Sequence, residues 1–179
     1  MRMRYVVPVV AALMSATVTA PAHAAPVDTT TTFNVSGGAL GITVPSTASL
    51  GAGAPGTSIS AQLGTVQVID GRALLTAGWT ASVSSTSFTT GGATTAETVP
   101  STAVSYWSGT ATASTGVGVF TPGQATAALA QTLNVSRTAF TLTAGTGNNT
   151  ATWNPTLVVA LPAAAVVGTY TGTVAHSVA

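Results

Sequence analysis

Gly78-Trp79-Thr80-Ala81-Ser82-Val83-Ser84 alternates strictly between apolar and hydroxyl side chains. Trp79, Ala81 and Val83 fall on one face, while Thr80, Ser82 and Ser84 fall on the other. A period of two marks a strand with one face buried and one face wet. The last segment repeats the pattern. Tyr170, Gly172, Val174, His176 and Val178 share one face, with Thr169, Thr171, Thr173 and Ser177 opposite. Further strands are expected at Thr65 to Ile69, Ala103 to Trp107, Leu133 to Val135, Ala139 to Thr143 and Thr156 to Leu161. Thr31 to Val35 and Leu40 to Val44 are expected to begin the domain.

Between these runs the chain is rich in Gly, Pro, Ser and Thr, as turns require. Gly51 to Gly56 and Thr89 to Thr98 read as exposed loops, and Ala144 to Asn149 as a hairpin tip. Leu133 and Val135 are odd-numbered, whereas Phe140 and Leu142 are even. One straight strand cannot put both pairs on one face. A turn or bulge is therefore expected near Ser136 to Thr138. Gln124 to Ala130 fits a helix or a strand equally well. Elsewhere the i, i+3, i+4 spacing of an amphipathic helix is absent. Many short strands without intervening helices imply an all-β fold, a two-sheet antiparallel β-sandwich.

The first residues read as an export signal. Arg2 and Arg4 precede a mostly apolar run from Tyr5 to Thr19, and Ala22-His23-Ala24 offers a small-x-small cleavage site. The run is shorter than the ~20 residues that span a bilayer, and Pro8 interrupts it. Residues 1–24 are thus expected to be a signal peptide and 25–179 a single domain. No second long apolar segment and no LPxTG-like motif follows. The expected product is secreted and either released or held non-covalently at the cell surface, with no membrane span in the mature form.

Charge narrows the function classes. Charged residues make up 4% of the chain, against about 25% in ordinary domains. Beyond the signal, Asp28, Asp70, Glu97, Arg72 and Arg137 remain, and there is no lysine. The basic footprint of a nucleic-acid binder is missing. Cysteine is absent, so disulfides stabilise nothing. The chain is still 46% hydrophobic, which separates it from disordered polar sequences.

Three segments carry a resemblance. Val66-Gln67-Val68-Ile69-Asp70-Gly71-Arg72 is followed by Gly78-Trp79-Thr80-Ala81-Ser82-Val83. Thr152-Trp153-Asn154-Pro155 leads into Val158-Val159-Ala160-Leu161-Pro162. Gly168-Thr169-Tyr170-Thr171-Gly172-Thr173-Val174 opens the terminal strand. In content and order these resemble the WxL-domain family of bacterial cell-surface proteins. The first Trp-x-Leu slot reads Trp79-Thr80-Ala81 here, and the second reads His176-Ser177-Val178. The resemblance implies a β-sandwich attached non-covalently to the cell wall, often within multi-protein surface assemblies.

Acid–base and metal chemistry need groups that titrate or coordinate, and these are few. Downstream of residue 24 there is one histidine, His176, with three carboxylates. A Ser-His-Asp triad could be drawn only with His176 and Asp70, and no G-x-S-x-G elbow accompanies it. The parity of His176 with Tyr170 and Val174 instead marks it as a structural side chain at the core or its rim. The chain is thus expected not to be an enzyme and to use no cofactor or metal.

Candidate recognition residues are Trp107, Trp153, Arg72 and Asp70. Trp79 alternates with Ala81 and Val83 and belongs to the core. Trp153 sits between Asn149 and Asn154 in a loop-like stretch, where binding residues concentrate. Trp107 follows Tyr106, so one of the two faces outward. Asp70-Gly71-Arg72 is a turn signal. It reads either as a weak surface ion pair or as an arginine fixed for recognition. Asn34, Asn134 and Asn148 head glycosylation-type triplets to which no role is assigned.

Two partners are compatible with this inventory. One is a cell-wall glycan such as peptidoglycan, met by exposed aromatic rings. The other is protein, either a companion surface protein or a second copy, met through uncharged edge strands.

Overall fold

The computed structural model describes residues 27–179. The expected signal peptide, residues 1–24, lies outside the described residues. The chain divides after Asn34 into two units. In the first, the described stretch from Val27 has no strand and is exposed throughout. The second, Val35–Ala179, carries every strand among the described residues.

Twelve strands follow one another: β1 (Leu40–Thr43), β2 (Ser58–Gln62), β3 (Val66–Asp70), β4 (Ala77–Ser85), β5 (Phe88–Thr89), β6 (Thr98–Val99), β7 (Val104–Trp107), β8 (Ala113–Pro122), β9 (Gln131–Thr132), β10 (Arg137–Trp153), β11 (Thr156–Ala160) and β12 (Val174–Val178). Helical structure among the described residues is limited to single 3-10 turns at Thr95–Glu97, Ser101–Ala103 and Ala127–Leu129. The protein is all-β, and its strand pairs are antiparallel. A six-stranded sheet runs β1-β3-β10-β4-β12, with β8 paired to the other side of β10. A four-stranded sheet runs β2-β11-β7-β9, and β5 pairs with β6.

Alternation makes the core. Val66, Val68, Trp79, Ala81 and Val83 of the larger sheet point inward, as do Val104, Tyr106, Leu157 and Val159 of the smaller. All of these belong to one buried cluster. The opposite face of the larger sheet is hydrated by hydroxyl groups that also bond one another: Ser82 Oγ to Ser177 Oγ (2.8 Å) and Thr115 Oγ1 to Thr150 Oγ1 (2.7 Å). Such cross-strand pairs supply surface order without charge.

Strand β10 organises the larger sheet. Its first part, Arg137 to Gly145, pairs with β4; its last part, Asn149 to Trp153, pairs with β3. Along its other side it pairs with β8. The ladder slips between Thr138 and Phe140, again between Leu142 and Gly145, and twice more against β8. At the first slip Ala139 and Phe140 are both fully buried. This is the expected change of parity, and a turn over Leu133–Val135 precedes it.

Several expectations are corrected. Ala144 to Asn149 is not a hairpin tip but the bulged middle of β10. Ala144 (φ 52°) and Gly147 (φ 70°) take left-handed backbone, which serves a bulge as well as a turn. Leu133 to Val135 is a turn and not a strand. Leu133 is held in the core by its N–H to Val104 O (2.9 Å), while Val135 is half exposed. Thr31 to Val35 pairs with nothing and leaves Phe33 and Val35 in solvent. In the final segment the ladder starts only at Val174, preceded by a single bridge between Thr171 and Thr89. Part of the expected loop Thr89 to Thr98 is taken up by the ends of β5 and β6. Gln124 to Ala130 contains one 3-10 turn. Strand β8 was not anticipated at all.

Candidate functional site

Asp70 ends β3 on the same face as Val66 and Val68, so its carboxylate enters the core and is 1% exposed. A carboxylate there requires partners. Arg72 supplies them: Nε donates to Oδ1 (2.9 Å), Nη2 to Oδ2 (2.9 Å) and the backbone N–H to Oδ1 (3.1 Å). The same Nη2 reaches Gly78 O at 2.8 Å. Asn149 Nδ2 adds a bond to Oδ2 (3.3 Å), and Asn149 Oδ1 accepts Trp79 Nε1–H at 2.8 Å. A continuous polar chain thus links β3, β4 and the bulge of β10. Hydrogen bonds from Arg72 hold the Asp70 carboxyl below the usual carboxylate range, and Asp70 in turn raises Arg72. The arginine is fixed in place, while 29% of its side-chain surface stays exposed. The Asp-Gly turn is therefore no weak surface pair. It is a two-point ion pair whose acid is internal.

Trp153 is not at the surface. It is fully buried, stacked on Phe140 with ring centres 5.0 Å apart, and its Nε1–H donates to Tyr106 Oη at 3.1 Å. Trp107 is the partly exposed member of the Tyr106–Trp107 pair. It lies on β7 in the smaller sheet, and Arg72 lies beyond the end of β3 in the larger. The residues chosen from sequence therefore do not form one patch. Asp70 and Arg72 come together; Trp107 and Trp153 belong elsewhere.

His176 stands at the rim of the core, its ring centre 5.7 Å from that of Tyr106 and its Nε2 3.3 Å from Tyr106 Oη. Trp153 Nε1 can only donate, so the phenol oxygen accepts there and can donate its own O–H to a neutral His176 Nε2. Burial pushes the imidazole down to about 4 and the phenol upward. Glu97 accepts two bonds from Thr94, from N–H (3.4 Å) and O–H (2.6 Å), and so closes its own turn. Among the described residues no three His, Asp or Glu side chains gather as metal ligands would.

Two surfaces remain. Adjoining clefts of about 620 and 310 Å³ share Leu50 and Phe88. Ile59, Val159 and Leu161 line the larger, and His176 closes the smaller. The second surface is the outer edge of β8. Its ten residues, Ala113-Ser-Thr-Gly-Val-Gly-Val-Phe-Thr-Pro122, pair with β10 on one side only. Its first five residues are all exposed, and Val117 and Val119 keep 65% and 58% of their surface.

No protein-family model, curated protein or solved structure matches this chain. Sequence reasoning passed over Asn149, Gln124 and β8. Asn149 shares parity with Ala151 and Trp153, and that alternation was the signal for all three. Gln124 is buried and ties Thr138 O (2.9 Å) to Ser108 Oγ (3.2 Å). Nothing in its surroundings in sequence announced it.

Proposed function

We propose that this chain is an exported, non-catalytic structural domain that binds other proteins by strand addition at the free edge of β8. The observation that carries this reading is the edge itself. It is ten residues long, solvent-exposed and without a charged side chain. Sheet edges ordinarily carry lysine, proline or inward-pointing charge to prevent such pairing. Pro122 stands only at the last position. Backbone N–H and C=O groups along an open edge offer a template for an incoming strand.

The rest of the molecule is consistent with a scaffold. Its two larger sheets share one core, and we infer that they face each other as a sandwich. Asp70, Glu97 and His176 all have structural partners, which supports a role without acid–base chemistry. Lysine introduced at Val117 and Val119 should abolish recovery of crosslinked partners from cells, with the melting temperature unchanged. Undiminished recovery would refute the reading. Lysines at Ser114 and Thr115, in the exposed first half of β8, provide a second test should the first variant fold poorly.

A second reading, attachment to cell-wall glycan as in the WxL-domain family, is favoured by the partly exposed ring of Trp107. Co-sedimentation with purified sacculi that is lost in Trp107→Ala would support it. A protein that stays in the supernatant at every salt concentration would exclude it.

A further inference from the structure

We infer that the strand received by β8 is β8 of a second copy, paired antiparallel about a two-fold axis; this rests on the edge-binding reading above. Length singles β8 out. Strands β1, β2 and β12, which also end their sheets, have four or five residues, and β9 has two. A ten-residue strand offers ~34 Å of edge.

Charge points to a like partner. An edge built for a different protein commonly shows a charged patch for that protein to complement. Ala113–Pro122 holds no ionisable side chain. Two identical surfaces can therefore meet without like-charge repulsion. Antiparallel pairing of identical strands is self-complementary and closes as a dimer, the commonest symmetry of soluble oligomers.

Apolar surface is exposed on the edge strand and on the loop across β10 from it. The loop bearing Leu74 and Leu75 is tied to the bulge of β10 through Gly147 N–H to Leu74 O (2.8 Å) and Thr146 Oγ1 to Leu75 O (3.2 Å). Thr146 in turn is the partner of Val117. Leu75 is 85% exposed and Leu74 42%, across β10 from β8, while Val117 and Val119 on the edge strand itself keep 65% and 58% of their surface. A Cβ at Gly116 would meet Asn148 O and one at Gly118 would meet Leu142, so both glycines are required by the fit to β10.

The test uses the secreted protein. Sedimentation velocity should show a concentration-dependent dimer, and Val117→Lys with Val119→Lys should weaken it at least ~10-fold. Because the chain has no cysteine, single cysteines placed at successive β8 positions give a clean register map. In a symmetric antiparallel pair only the residue at the axis meets itself, so disulfide-linked dimer should peak at one position and fall on either side. A monomer at all concentrations, or a flat crosslinking profile, overturns self-pairing. In that event, loss of companion-protein recovery by the lysine variant would leave the broader edge-binding reading standing. Unchanged recovery would remove both.

Discussion

The internal carboxylate of Asp70 concentrates much of the molecule's polar energy in one side chain. Asp70→Ala would leave the Arg72 guanidinium with only Gly78 O, and Asn149 Nδ2 with only the longer bond to Gly147 O (3.4 Å), as acceptors. Removing one partner of a buried pair costs ~3–5 kcal/mol; with Arg72 partly exposed, about 3 kcal/mol is expected by urea denaturation. Two residues divide the acid response. The His176 ring is held down to about 4 from an ordinary 6.5, so as pH falls the unfolded chain takes up that proton first. Stability is full above about 6.5 and declines toward pH 4, by on the order of 3 kcal/mol. Asp70 is also held low, so its contribution is present above the ordinary 3.8 and is lost only below it. Melting temperatures recorded from pH 8 to 3 should fall in two stages, and His176→Gln should flatten the first. The placement of Asp70 was legible: Val66, Val68 and Asp70 alternate together. What misled was the Asp-Gly dipeptide, which is turn chemistry whether or not the acid is solvated.

Among the elements, β4 and β12 were the most readable, because each buries one face against water-facing threonines and serines. Strand β8 was unreadable for the opposite reason. Its first half buries neither face, so no period appears in its sequence. The middle of β10 was misread because Gly, Asn and Thr serve bulges as they serve turns, and only the pairing partners decide between them. That bulge can be tested one residue at a time. Ala144 sits at φ 52°, and glycine there should stabilise by ~0.5–1 kcal/mol. Gly147 has φ 70° with open space around its Cα. Alanine there should cost ~1 kcal/mol through backbone strain alone. Gly145→Ala should cost more, since its Cβ would meet Ala77 O at 2.8 Å. Thermal melts of the three variants should rank them in that order.

Taken whole, the molecule replaces charge with hydroxyl groups. Surface stability in most proteins shifts with salt because exposed ions are screened. Here the charged residues are 4% of the chain, and the principal ion pair has an internal acid. Raising sodium chloride from about 0.05 to 0.5 M should move the melting temperature by less than about 2 °C. Larger movement would mean that unrecognised long-range charge matters. The all-β class was legible from composition and alternation together. The way the sheets use β10 as a shared spine was not, because register between distant segments leaves no local mark. Among the described residues, Arg72 and Arg137 are the only arginines. Arg72 is clamped by Asp70, and Arg137, at the start of β10, donates from Nε to Thr132 O at 2.9 Å. A trypsin-like protease needs a basic side chain free to enter its specificity pocket and several residues of backbone peeled away from their neighbours. Neither bond after these arginines meets that demand until the sheet opens. Cleavage by such an enzyme would therefore clock the opening of the core itself.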